Sequence, residues 1–137
     1  MSNDEVVHVY VDAACAGDPG KCGLGVFLKH PSGDVERFSI PSHLTHIHAA
    51  EFVALKAGMD LAASRGYTHA RFFTDSQLVD QSVHDGKVKN QVYKPYLHDV
   101  LLLSIEFRLF IVSWISNARN KEADHLAKQA IHKQLET

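Results

Sequence analysis

Four acidic residues, Asp12, Glu51, Asp75 and Asp124, stand where the surrounding pattern calls for apolar side chains or closes a strand. A carboxylate facing a core costs several kcal/mol, on the order of the penalty for any buried charge, unless a cation or hydrogen bonds compensate it. One such acid is a cap or half of an ion pair. Four of them, on elements able to converge, make a cradle for hard divalent cations, which take oxygen ligands. Without metal the clustered charges repel one another and their pKa values rise. With two ions held together, water is activated as a nucleophile and the leaving oxygen of an in-line displacement is stabilised.

The elements that must position these acids can be read from periodicity. Residues 6–11 alternate, with Val7, Val9 and Val11 on one face and His8, Tyr10 and Asp12 on the other, so Asp12 closes a strand. Gly17-Asp18-Pro19-Gly20 is turn chemistry. Strands follow at 24–29 and 35–40, joined by the hairpin turn Pro31-Ser32-Gly33-Asp34. After Pro41 the period becomes helical through Ile47, Ala50, Ala54, Leu55, Gly58 and Leu61, and Gly66 stops the helix. Glu51 lies four residues from both Ile47 and Leu55, on the buried stripe.

Residues 69–74 read as a buried strand closed by Asp75, and 76–83 as a short helix. A basic loop at 87–90 leads into a helical stretch over 92–104 that breaks or starts around Pro95. Residues 107–115 form the last strand, and Asn120 caps a final helix that packs through Ala123, Ala127, Ala130 and Ile131. The order β-β-β-α-β-α-α-β-α predicts an α/β fold: a five-stranded mixed sheet, three antiparallel strands then two parallel, with helices on both faces. Ligands of such sheets gather at strand ends. The aromatic residues Phe72, Phe73, Phe107, Phe110 and Trp114 read as core.

Composition narrows the function classes. The chain has 137 residues, 45% of them hydrophobic and 22% charged. That fits one domain, with residues 1–5 as a flexible tail and 6–136 as the folded unit. A net charge of −2 is weak electrostatic support for nucleic-acid binding, so phosphate contacts must come from metal ions or local basic clusters. Cys15 and Cys22 make no disulfide framework and fit a reducing compartment. The first residues hold no apolar signal core and no run is long enough for a membrane span, so a cytoplasmic protein with no membrane contact and no obligate protein partner is expected. His43, His46 and His48 with Cys15 or Cys22 match no standard zinc spacing and read as solvated loop histidines.

At this level the motifs resemble type 1 ribonuclease H. Val11 to Gly20 (VDAACAGDPG) resembles that family's opening DGS-GNPG run. Thr74-Asp75-Ser76-Gln77 matches its TDSQ motif, Ala50-Glu51-Phe52-Val53-Ala54-Leu55 its glutamate helix, and Trp114 to Ala127 (WISNARNKEADHLA) its final strand, loop and NxEAD helix. The resemblance implies a ribonuclease H-like fold and hydrolysis of the RNA strand of RNA–DNA hybrids. Two Mg2+ or Mn2+ ions would be held by Asp12, Glu51, Asp75 and Asp124. It also implies contacts to the hybrid and its 2′-hydroxyl near Cys15, Asp18, Ile47, His48 and Ser76. Asn117 or Arg119 stands in for a loop histidine that aids product release.

The chain departs from the family's common form at Ala13-Ala14, at Asp18 in place of asparagine, at Ile47, and in carrying no histidine between Trp114 and Asp124. Only Lys87, Lys89 and Lys94 occupy the region where some relatives carry a basic protrusion. These departures motivate a second reading, a hybrid-binding module with weak or lost turnover. A third is a scaffold whose acids hold structural calcium. Proofreading-type exonucleases place a second acid two residues after the first, where this chain has Ala14.

Overall fold

The computed structural model describes residues 5–135. The tail expected at 1–5 lies outside them apart from Glu5, as does the boundary at residue 136. Five strands are present: β1 (Val7–Cys15), β2 (Cys22–Lys29), β3 (Val35–Ser42), β4 (His69–Thr74) and β5 (Leu109–Trp114). Four helices alternate with them: α1 (Ile47–Ser64), α2 (Gln77–Asp85), α3 (Lys94–Ser104) and α4 (Lys121–Leu135). The sheet order is β3-β2-β1-β4-β5, with β1–β2 and β2–β3 antiparallel and β1–β4 and β4–β5 parallel. The expected mixed sheet is the observed one.

Alternation along β1 divides the molecule into two layers of packing. Val7, Val9 and Val11 are at most 1% exposed, and a Cβ added to Gly58 of α1 would meet the side chains of Val9 and Val11, so α1 covers the valine face. Fully burying each valine contributes about 1.5–3 kcal/mol. On the opposite face α4 lies directly on β2. A Cβ at Gly23 would strike the Ala127 carbonyl and Ala130, and one at Gly25 the Ala123 carbonyl. Ala123, Ala127 and Ala130 are fully buried, as their spacing predicts. Small residues on both partners let backbones approach where a larger pair would hold them apart.

Three features near the site differ from the sequence reading: the end of β1, the state of the cysteines and the burial of Trp114. Strand β1 does not end at Asp12; its antiparallel pairing with β2 continues through Asp12↔Gly25 to Cys15↔Cys22. Its parallel pairing with β4, in contrast, stops at Tyr10↔Phe73. Asp12 therefore lies where β1 parts from β4, which opens a fork at the strand ends.

The continued pairing sets Cys15 opposite Cys22 with their Cα atoms 4.0 Å apart, and the two form a disulfide. This corrects the expectation of free thiols: strands that run on beyond the alternating segment bring the two cysteines face to face. Trp114 is the third difference. It is 44% exposed rather than core, because β5 is an edge strand and Trp114 is its last residue. Among the described residues no helix is long and apolar enough to cross a membrane.

Candidate metal centre

Helix α1 carries Glu51 toward the fork from one side, β1 brings Asp12 and the end of β4 brings Asp75. Each of these three carboxylates has an oxygen within 4.8 Å of the others. Asp12 is 5% and Glu51 7% exposed, while Asp75 is half-buried. Asp124 is half-buried at the edge of this group on the first turn of α4, where its Oδ2 pairs with Lys128 Nζ at 2.9 Å. Three of the four acids thus share one pocket, and the fourth stands beside it engaged with a lysine.

The electrostatics are those of a cation site. Burial, then the charges of Glu51 and Asp75, push the Asp12 carboxyl up to about 10. Burial, then the charge of Asp75, pushes Glu51 up to about 8, although the Ala13 amide donates to Glu51 Oε1 at 2.6 Å and opposes the rise. Asp124 adds to the rise at both residues. Two acids so reluctant to ionise together become ordinary ligands once a divalent cation supplies the missing positive charge. All the donor atoms are carboxylate oxygens, the chemistry that hard cations select. The residues present fit such a group.

Local structure explains why Asp75 is available to this pocket. Sequence alone allows it to be a helix cap, but Ser76 fills that role: its Oγ accepts from the Val79 amide at 3.2 Å. The Trp114 indole donates to the Asp75 carbonyl at 3.1 Å and braces the segment from the edge strand. Asn120 Nδ2 donates to Asp75 Oδ2 at 3.3 Å and to the Val11 carbonyl at 2.9 Å. Asn120 was expected only as a cap for α4. Its backbone carbonyl does accept from the Asp124 amide at 3.1 Å, but its side chain is turned into the fork. Neither Trp114 nor Asn120 is marked by periodicity; a tryptophan ahead of the last loop and the asparagine that opens the NxEAD segment are the available signals.

The remaining candidates divide into groups. Asp18 and His48 line one surface depression of about 400 Å³ with His46, Tyr93 and Tyr96. Asp18 Oδ1 is 2.9 Å from His46 Nδ1, and the Gly20 amide donates to the Thr45 carbonyl at 2.9 Å, which fastens the turn to the approach of α1. Cys15 ends β1 just before that turn, and its sulfur is committed to Cys22 and offers no thiol to a ligand. Ser76 Oγ is occupied as the α2 cap. Asn117 and Arg119 are exposed on a single 3-10 turn before α4, and Arg119 borders Tyr10 and Phe27. A further cavity of about 1050 Å³ lies between α2 and α3, is lined by Lys87, Lys89 and Lys94, and includes none of the four acids.

Comparison with known proteins agrees with this geometry. Residues 10–130 match the model of the reverse transcriptase-like family. The putative hydrolase EbsB of Enterococcus faecalis is 33% identical over 131 residues, covering 93% of this chain and 96% of that protein. The bifunctional protein Rv2228c of Mycobacterium tuberculosis is 33% identical over 130 residues, covering 91% of this chain but 35% of that longer protein. Among solved structures, RNase H1 from the archaeon Halobacterium salinarum superposes with a TM-score of 0.88 at 26% identity, covering 93% of this chain and 98% of that one. The chain belongs to the reverse transcriptase-like family and, with a ribonuclease H of Anaplasma marginale 30% identical over 145 residues, is a type 1 ribonuclease H.

Proposed function

We propose that Asp12, Glu51, Asp75 and Asp124 are the catalytic carboxylates of this ribonuclease H, and that they hold two Mg2+ or Mn2+ ions while the RNA strand of an RNA–DNA hybrid is hydrolysed. The observation that carries the proposal is the approach of Asp12, Glu51 and Asp75 to within 4.8 Å in a largely buried pocket, where none of the three is paired with a side-chain cation among the described residues. Metal bound there supplies the activation of water and the charge stabilisation that phosphodiester hydrolysis needs.

The chain's own residues do the rest. The Ala13 amide fixes one oxygen of Glu51, and Asn120 fixes one oxygen of Asp75. Both carboxylates are thereby held in orientation before any cation arrives. Lys128 holds Asp124 at the rim by an ion pair whose lysine is mostly exposed, so release of that acid toward the pocket costs little. The depression lined by Asp18 and His48 suits a minor-groove contact at the 2′-hydroxyl, with His48 as donor and Asp18 as acceptor. The groove carrying Lys87, Lys89 and Lys94 suits the phosphates of the other strand. We take residues 6–136 as one catalytic unit acting in the cytoplasm. The Cys15–Cys22 disulfide is the feature that stands against that location, and fractionation of cells with thiol trapping checks it.

The second reading, a hybrid-binding protein with weak turnover, is favoured by one observation: Asp124 is paired with Lys128 rather than gathered with the other three acids. Cleavage of an end-labelled hybrid in Mg2+ and in Mn2+ separates the two readings, with Asp75→Asn as the control. Cutting by the unaltered protein that the control lacks supports the nuclease site. Retention of hybrid without cutting in either ion supports the binder.

A further inference from the structure

Asn120 is 1% exposed, and its amide is oriented by chemistry alone. Both groups facing Nδ2, the Val11 carbonyl and the Asp75 carboxylate, can only accept, so the nitrogen and not the oxygen must point at them. Its Oδ1 is buried without a hydrogen-bond partner among the described residues. The β1–β4 pairing ends at Tyr10↔Phe73, and Val11 is the next residue along β1. The amide therefore enters the fork where a ladder hydrogen bond would otherwise lie. One residue in this way touches the strand of Asp12, the carboxylate of Asp75 and, through its backbone carbonyl, the amide of Asp124.

We propose that Asn120 is a positioning residue: its side-chain amide holds the Asp75 carboxylate toward Asp12 and Glu51 in the arrangement that receives metal. Left alone, Asp75 is repelled by two neighbouring acids and, being only half-buried, would turn toward solvent. A donor at Oδ2 opposes that movement without adding a competing cation, as a lysine at this position would. Asparagine is the fitting residue because both faced groups demand donors and its own side chain is buried from solvent. An aspartate of the same shape would set a third carboxylate against Asp75 and the Val11 carbonyl. The inference rests on the reading of Asp12, Glu51 and Asp75 as metal ligands.

The test is Mn2+ binding by the full chain, measured by titration calorimetry on the unaltered protein, Asn120→Ala and Asn120→Asp, with thermal melts alongside. Both variants are expected to bind Mn2+ about 10-fold or more weakly, the usual effect of removing a partner that orients a metal ligand. The metal concentration for half-maximal hybrid cleavage should rise by the same factor. Lower melting temperatures with unchanged Mn2+ affinity would make Asn120 a packing residue and overturn the inference. Absence of Mn2+ binding by the unaltered protein would overturn the metal-site reading and this inference together, a different outcome from equal binding by all three.

Should neither variant fold, the unaltered protein carries the test by nuclear magnetic resonance. The Asn120 side-chain amide signals should move on addition of Mg2+ with the midpoint of metal binding. Signals indifferent to Mg2+ would reject the proposal.

Discussion

Glu51 Oε1 accepts the Ala13 amide at 2.6 Å, a buried hydrogen bond that joins α1 to the residue immediately after Asp12. The glutamate thus completes the backbone of β1 as well as facing the other acids. Two substitutions separate those roles. Glu51→Gln keeps an acceptor for Ala13 and removes the charge, so hydrolysis should fall to background while the fold is kept. Glu51→Ala should lose hydrolysis equally and in addition leave a buried N–H unpaired, at a cost of about 1–3 kcal/mol. Thermal melts without metal should therefore place Glu51→Ala clearly below Glu51→Gln; coincident melts would remove the hydrogen bond from the account.

Asp12 has the opposite balance, since its carboxylate is buried against two like charges. Asp12→Asn should abolish hydrolysis and melt at or above the temperature of the unaltered protein when metal is absent. Added Mn2+ should raise the melting temperature of the unaltered protein, as any ligand of the native state does, and raise that of Asp12→Asn much less. A variant that melts well below the unaltered protein in chelator would contradict the picture of mutual repulsion.

Glycines at the two helix–sheet contacts, Gly25 under α4 and Gly58 on α1, should respond differently to alanine. At Gly25 the new Cβ is driven into the Ala123 carbonyl and lies 2.7 Å from the Ala127 amide nitrogen, and backbone cannot step aside. Gly25→Ala should destabilise by about 1–3 kcal/mol or more. At Gly58 the obstacles are Val11 Cγ1 at 2.7 Å and Val9 Cγ1 at 3.0 Å, buried side-chain atoms rather than backbone, and the helix propensity of about 1 kcal/mol that alanine gains over glycine offsets part of the clash. Urea titration should rank Gly58→Ala well above Gly25→Ala.

At the far end of the sheet Arg65 donates to both oxygens of Glu36, at 2.6 and 2.7 Å, while His30 Nε2 sits 2.7 Å from the same carboxylate. The Arg65 hydrogen bonds hold Glu36 down at about 2, against an ordinary 4.5. A depressed carboxylate binds fewer protons folded than unfolded. Its contribution is therefore complete above pH 4.5 and is lost as the pH falls through about 2. The difference in melting temperature between the unaltered protein and Glu36→Gln should be largest above pH 4.5 and shrink steadily toward pH 2. A difference that is constant with pH would show that the pair contributes through packing alone.

Arg119 is exposed on the turn before α4 and makes no ion pair among the described residues. Arg119→Ala should leave the unfolding free energy within about 0.5 kcal/mol of unchanged, as for most surface substitutions, while raising KM for hybrid and flattening its dependence on salt. Steady-state cleavage at two salt concentrations checks this; unchanged kinetics would assign Arg119 to the solvated surface.

Much of this structure is visible in the bare chain because acids break apolar patterns. Glu51 stood out by sitting four residues from Ile47 and Leu55 on one stripe, and the packing face of α4 followed from its alanines. What the bare chain conceals has physical causes. The alternation of β1 fades at Ala13 and Ala14, so periodicity ends the strand there and gives no sign that Cys15 faces Cys22. Asn120 precedes a helix and so looked like a cap, since sequence does not reveal which way an amide turns. Trp114 looked like core because hydrophobicity does not say which strand forms the edge.

The fork between β1 and β4 has a further consequence for how this chain can change. Cohesion comes from the valine face under α1 and the glycine–alanine contact under α4, and neither depends on the acids. A single substitution at Asp12 or Asp75 can therefore silence hydrolysis and leave an intact body still shaped to clasp a hybrid. Such a descendant would shield the RNA it once destroyed.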